Sequence, residues 1–122
     1  MPETVYIIDS NKDRRARYAA ALAGEPFAVH SYDSARQFLD LTGATSSGCV
    51  IASAELPDGG ARALIDEIRQ RGLPLVVIVV GETPDLSVAV DLMRAGAADF
   101  LEQPVSDRRL LEAVRQAVGV DF

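Results

Sequence analysis

Short apolar segments that alternate with stretches of helical spacing constrain the fold of this chain more than any other feature. Five segments rich in β-branched residues predict strands over Thr4–Asp9, Phe27–Tyr32, Cys49–Ser53, Leu75–Val80 and Ala98–Leu101. Helical periodicity after each segment predicts helices over Lys12–Leu22, Ser34–Leu41, Ala61–Arg71, Pro84–Ala95 and Asp107–Val118. Because parallel strands need long crossover connections, this order predicts a parallel sheet with helices on both faces.

The fourth predicted strand gives the clearest indication of how the sheet is built. Leu75–Val80 reads Leu-Val-Val-Ile-Val-Val and lacks polar alternation, which is typical of a strand buried on both faces. The chain has 122 residues, a length that fits one domain over residues 1–122. We therefore predict the α/β class, with a doubly wound, flavodoxin-like, five-stranded parallel sheet in the strand order 2-1-3-4-5.

Composition and charge exclude several functional classes. The formal net charge of −6 argues against direct nucleic-acid binding, which depends on a positive surface that displaces counterions. The longest apolar run, Leu75–Val80, is far shorter than the ~20 residues of a membrane-spanning helix, and no charged-then-apolar leader opens the chain. The single cysteine, Cys49, lies in an apolar stretch and is interpreted as a buried thiol in a reducing compartment. We expect a cytoplasmic protein with no membrane partner.

The first predicted helix begins with a basic cluster made of Lys12, Arg14, Arg15 and Arg17. Asp13 interrupts this cluster, and mixed charges on one helix are typical of a solvated face. The four residues from Ser10 to Asp13 also resemble a capping box, with Asp13 near the positive end of the helix. We therefore expect Ser10 to cap this helix and the basic side chains to face solvent.

Three motifs near the carboxyl ends of the predicted strands carry a resemblance to a known family. In doubly wound folds this edge of the sheet holds the functional site. Ile7-Ile8-Asp9, Leu56-Pro57-Asp58-Gly59 and the stretch Ala89–Pro104 resemble the matching parts of bacterial response-regulator receiver domains. The resemblance covers essentially the whole chain and is strongest to the receivers of FixJ- and NarL-type regulators.

The resemblance implies a defined chemistry at these strand ends. A working receiver transfers a phosphoryl group from a histidine kinase to an aspartate that ends the third strand. Acidic residues at the end of the first strand help to hold Mg²⁺, which neutralises the developing charge. A hydroxyl residue after the fourth strand and a lysine after the fifth bind the phosphoryl oxygens.

The carboxylates of this pattern are mostly missing here. Asp9 matches the first acidic position, Ser10 occupies the second, and Ser53 stands where the phospho-accepting aspartate is expected. Neither serine brings a charge to the site. We expect no metal and no cofactor, although Asp9 and Glu55 together leave a weak divalent-ion site open as an alternative.

The groups that bind the phosphoryl oxygens are also replaced. Gly81 falls at the switch-hydroxyl position, with Thr83 as an alternative if the alignment shifts by two residues. Gln103 replaces the lysine, while Pro104 is kept, and the resemblance implies a cis bond before it. Phe100 occupies the position of the switch aromatic residue, and we expect it to hold one rotamer.

These departures predict a degenerate receiver that is not an enzyme and signals without phosphorylation, through protein–protein interaction or dimerisation. It fits a two-component-type signalling or transcription regulator, with other signalling proteins or a DNA-binding domain in the same chain as partners. Two alternatives stay open. Ser53 or Asp58 could accept a phosphoryl group as a non-standard acceptor, or the strand-end pocket could sense a small molecule.

The fourth predicted helix carries more apolar residues than one core-facing stripe requires. The resemblance implies that this helix, the fifth strand and the fifth helix form an output and dimerisation surface. The candidate interface residues are Leu86, Val90, Leu92, Met93, Arg94, Asp99 and Leu111. We expect a homodimer through this surface, in which substitution of Leu92 or Leu111 by glutamate weakens association but not folding. Burial inside the domain is the alternative explanation for the surplus.

Overall fold

Strands and helices alternate without exception along the described chain. The computed structural model describes residues 3–41, 47–57, 59–82 and 86–119. The strands are β1 (Glu3–Ile8), β2 (Phe27–Tyr32), β3 (Gly48–Ser53), β4 (Leu75–Gly81) and β5 (Asp99–Glu102). The helices are α1 (Lys12–Leu22), α2 (Ala35–Leu41), α3 (Gly60–Gln70), α4 (Leu86–Ala95) and α5 (Asp107–Val118). The predicted element order is confirmed.

All five strands are parallel and lie in the order β2-β1-β3-β4-β5, which confirms the predicted fold class. The register pairs Ile8 with Ala52 across β1 and β3, and Ser53 with Val80 across β3 and β4. Strand β4 is buried from Val77 to its end, as its unbroken apolar sequence predicts. The carboxyl ends of the strands therefore meet at one edge of the sheet.

The sheet separates two apolar cores, one on each face. Alternate residues of β3 serve different cores: Val50 and Ala52 pack toward α2, α3 and α4, whereas Cys49 and Ile51 pack toward α1 and α5. Cys49 is fully buried, as predicted, and burial raises the pKa of its thiol to about 12.

Helix boundaries agree with the prediction within one or two residues, but the residue that caps α1 differs from the predicted one. The N-cap of α1 is Asn11, whose side chain accepts a hydrogen bond from the Arg14 backbone N–H at 2.9 Å. The prediction that Ser10 caps the helix is therefore wrong, and Ser10 is exposed. The predicted start of the fourth helix at Pro84 lies outside the described residues. None of the helices in the described ranges has both the length and the apolarity needed to cross a bilayer.

Two arginines of α3 tie α4 to the rest of the domain. Arg62 Nη1 donates to Asp91 Oδ2 at 2.6 Å, near the middle of α4. Arg69 Nη1 donates to the backbone carbonyl of Ala95 at 2.7 Å, at the C-terminal end of α4. These contacts fix the face that α4 presents outward.

Candidate functional site

Four residues from four strands come together at the carboxyl edge of the sheet. Asp9 directly follows β1, Ser53 ends β3, Gly81 ends β4, and Gln103 directly follows β5. The backbone holds them in register, because Gln103 N–H donates to the Gly81 carbonyl at 2.7 Å. The fold thus places the residues of the sequence-predicted site next to one another.

Asp9 is held by an arginine of the helix that follows it. Its side chain is almost completely buried, with the residue 1% exposed. Arg14 donates to both carboxylate oxygens, from Nε to Oδ2 at 2.8 Å and from Nη2 to Oδ1 at 2.9 Å. The Asn11 backbone N–H donates to Oδ1 at 2.8 Å. The Asp9 carboxylate raises the pKa of Arg14 above its ordinary value, mainly through the side-chain hydrogen bond.

The basic cluster of α1 is only partly the solvated face that the sequence predicted: Lys12 and Arg17 are exposed, but the three arginines of the cluster also bind oxygens of the domain. Arg14 binds the Asp9 carboxylate, Arg15 Nη1 donates to the Asp9 carbonyl at 2.6 Å, and Arg17 Nη2 donates to the carbonyl of Val105. The physical reason is that α1 starts immediately after β1, so its first turns lie over the strand ends and long arginine stems reach back. The available signal was Asp9 itself, since a carboxylate that ends a buried strand needs a partner charge.

Ser53 brings no carboxylate to the site, and Glu55 acts on it from an exposed position, where its carboxylate helps to raise the pKa of Arg14. Ser53 is buried, and its Oγ accepts a hydrogen bond from the Glu55 backbone N–H at 3.3 Å. The Glu55 side chain is exposed, as a solvated carboxylate would be. No group of three or more histidine, cysteine or acidic side chains within the described ranges is close enough together to hold a metal ion. Asp58, the other candidate acceptor, lies outside those ranges.

An aromatic ring fills the space beside the switch-hydroxyl position. Gly81 is buried, and a Cβ atom placed there would lie 2.8 Å from the Ala54 Cβ and 3.2 Å from Cζ of Phe100. The ring of Phe100 therefore packs directly against Gly81 and stands where a larger residue would extend. Thr83, the alternative hydroxyl residue, lies outside the described residues.

Gln103 makes a polar contact that the sequence did not predict. Its Nε2 donates to the hydroxyl oxygen of Tyr18, a buried residue of α1, at 3.2 Å. The peptide bond between Gln103 and Pro104 is cis, as the resemblance implied. An open cleft of about 480 Å³ lies beside this contact. Its lining residues are Arg14, Arg17, Tyr18, Glu82, Gln103 and Pro104.

Comparison with known proteins identifies the family of this chain. The model of the response regulator receiver domain matches residues 5–115. The chain belongs to the response regulator receiver family. It is 36% identical over 121 residues to the transcriptional regulatory protein FixJ of Azorhizobium caulinodans, an alignment that covers 98% of this chain and 57% of that protein. Receiver domains are in general non-enzymatic signalling domains.

Solved structures of receivers share the fold of this receiver domain. Full-length FixJ from B. japonicum superposes with a TM-score of 0.88 at 29% identity, covering 96% of this chain and 58% of that chain. A response regulator receiver protein from Pseudoalteromonas atlantica superposes with a TM-score of 0.86 at 30% identity, covering 95% of this chain and 97% of that chain. The chain spans slightly more than half the length of the FixJ proteins that it matches.

The predicted interface residues of α4 fall into two groups in this receiver. Leu86, Val90 and Met93 are exposed by 76%, 39% and 44%. Leu92 is only 5% exposed and packs in the core with Ala95, so its assignment to the interface is wrong. Helical periodicity gives the reason: the two buried residues are three positions apart and face the sheet, whereas the exposed three recur at spacings of four and three on the opposite side.

The remaining interface candidates differ in the contacts that they make inside the domain. Asp99 Oδ2 accepts a hydrogen bond from Arg109 Nη2 at 3.0 Å, and its Oδ1 accepts one from the Phe100 backbone N–H. Asp99 is therefore engaged inside the domain. Leu111 is partly buried against the core under α5, so only part of its side chain is available to an interface. Arg94 is exposed on α4.

Proposed function

We propose that this receiver domain acts as a phosphorylation-independent protein-interaction module of a two-component-type regulator. The observation that supports the proposal most directly is Ser53 at the acceptor position. A buried serine hydroxyl attacks phosphorus only when a general base takes its proton. Asp9 is the carboxylate of this strand-end site, and both of its oxygens are already hydrogen-bonded to Arg14.

The groups that respond to a phosphoryl group in the family are altered in the same direction. Gln103 carries a neutral amide in place of the ammonium group, and this amide donates to Tyr18. Gly81 brings no hydroxyl, and the Phe100 ring occupies the neighbouring space. Without a charged or hydroxyl donor at these positions, a phosphoryl group would lose the contacts that couple it to a change of conformation.

The outer surface of α4 then carries the interaction. Leu86, Val90 and Met93 form an exposed apolar stripe, and exposed apolar patches of this kind mark association surfaces. We propose a homodimer through α4, β5 and α5, which would bury this stripe against its symmetry mate.

FixJ, a relative named as a transcriptional regulatory protein, extends well beyond the matched region. A DNA-binding domain elsewhere in the same protein is therefore the partner that we propose for this acidic domain.

The proposal is tested by labelling with small phosphodonors. The domain is incubated with phosphoramidate or acetyl phosphate, with and without Mg²⁺, and its intact mass is measured. A receiver with an acceptor aspartate is treated in parallel as the positive control. We expect the control to gain one phosphoryl group and this domain to keep its mass. A saturable adduct that disappears in Ser53→Ala would overturn the proposal and establish Ser53 as the acceptor.

A further inference from the structure

We propose that the Arg14 guanidinium is the resident cation of this receiver site and takes the place of the divalent metal ion. The family implies Mg²⁺ beside Asp9, and the residues present do not fit it. Mg²⁺ requires a near-octahedral shell of oxygen ligands and is usually held by carboxylates. The inference goes beyond the proposed function, because a serine at the acceptor position does not by itself exclude a metal.

The Asp9 carboxylate has little capacity left for a metal. It accepts two hydrogen bonds from Arg14 and a third from the Asn11 backbone N–H, out of roughly four lone-pair sites on a carboxylate. A metal ion would have to displace Arg14 from at least one oxygen. Ser10, at the position of the second acidic ligand, is exposed and uncharged, so it offers no compensation.

The charges of the site are already balanced. A buried carboxylate is costly unless an opposite charge and hydrogen bonds accompany it. Arg14 supplies both, since its planar fork matches the carboxylate in a bidentate arrangement. Asp9 and the exposed Glu55 bring negative charges to the site, since both raise the pKa of Arg14. Arg14 and Arg15 bring positive charges, Arg15 through its bond to the Asp9 carbonyl, and the three residues that join Asp9 at the strand ends are neutral. A dication at this point would meet no net negative charge and would be repelled by the guanidinium.

The start of α1 positions the guanidinium for this role. Asn11 caps the helix by accepting from the Arg14 backbone N–H, and the Asn11 N–H donates to Asp9. The same short turn therefore orients the carboxylate and sets the arginine one turn into the helix. Arg15 adds a bond to the Asp9 carbonyl. Arg14 is about one-third exposed, so its removal opens the carboxylate to solvent without emptying the core.

The test is a titration with Mn²⁺, followed by calorimetry and by the electron paramagnetic resonance signal of the free ion. We expect no saturable binding at millimolar Mn²⁺ in the unaltered domain. Arg14→Met should bind Mn²⁺ at least roughly tenfold more tightly, the lower end of what altered contacts to a metal ligand produce. The double variant Asp9→Asn/Arg14→Met should lose that gain. Arg108→Met, which removes an equal charge from an exposed position on α5, should leave binding unchanged.

Saturable binding by the unaltered domain as tight as that of Arg14→Met would overturn the inference. A folded Arg14→Met variant that gains no affinity would overturn it equally. Should Arg14→Met fail to fold, Arg14→Lys keeps a cation in the site and is expected to exclude Mn²⁺, so saturable binding by that variant contradicts the inference. A phosphoryl adduct formed without metal would refute the proposed function and leave metal exclusion standing.

Discussion

The polar groups of the strand-end site have partners within the chain, whereas the apolar side chains on the outer face of α4 are exposed to solvent. At the strand ends, Asp9 is bound by Arg14, and Gln103 by Tyr18. On α4, large apolar side chains face outward, and Leu86 is 76% exposed. A site whose polar groups already have partners gains little from a ligand, whereas burial of an apolar stripe is favourable. This difference supports the proposal that the receiver acts through its surface.

Helix α4 presents that surface as a fixed element. Arg62 joins Asp91 to α3, and Arg69 binds the Ala95 carbonyl at the C-terminal end of α4. Both contacts come from one neighbouring helix and act at two separate points along α4. Together with the burial of Leu92 and Ala95, these contacts orient α4 so that the apolar stripe faces solvent.

Neighbouring residues of α4 provide the largest expected effect. Leu92 is buried and Met93 is half-exposed, so the same substitution should destabilise the domain strongly at the first position and hardly at all at the second. Leu92→Glu places a carboxylate in the core and should lower the free energy of unfolding by about 3 kcal/mol or more. Met93→Glu should change it by less than about 0.5 kcal/mol. Urea denaturation followed by circular dichroism measures both. Equal losses for the two variants would contradict the helix orientation described above.

A substitution at Gly81 is expected to lower the free energy of unfolding by an intermediate amount. Gly81→Ser restores a switch hydroxyl but brings Cβ to 2.8 Å from the Ala54 Cβ and 3.2 Å from the Phe100 ring. Overpacking of this kind should lower the free energy of unfolding by about 1–3 kcal/mol. Ala54→Gly removes the nearer contact, so the double variant should lose less than the sum of the single losses. Thermal and urea unfolding of the four proteins completes the cycle, and strict additivity would show that the two positions do not compete for space.

The sequence determines the elements of this fold well because their signals are local. The bounds of α1, β2 and α5 agree with the prediction to the residue. The helix cap at α1 was harder, since Ser10 and Asn11 are both good N-cap residues. The choice depends on Asp9, whose carboxylate accepts from the Asn11 N–H. The N-cap propensities of the two residues do not take that hydrogen bond into account.

The positions of the candidate site could be predicted from the sequence, but the ion pair between Asp9 and Arg14 could not. Strand-end positions follow from topology, so Ser53, Gly81 and Gln103 could be located from motifs alone. Arg14 could not, because its role depends on how α1 lies over the end of β1. The same limit applies to Leu92, whose burial depends on the rotation of α4 about its axis. The role of Arg14 and the burial of Leu92 therefore both depend on how the helices pack against the sheet.

A substitution in the exposed stripe is expected to change the free energy of unfolding least, but to weaken association of the domain. Met93→Glu puts a charge into the exposed stripe of α4 and should raise the dissociation constant of the proposed homodimer while leaving unfolding nearly unchanged. Leu41→Glu is the matched control, because Leu41 is an apolar residue 69% exposed at the end of α2, on a different helix from the stripe. Sedimentation velocity over a concentration series measures both variants beside the unaltered domain. A dimer that survives Met93→Glu, or one that Leu41→Glu disrupts equally, would place the interaction surface elsewhere on the molecule.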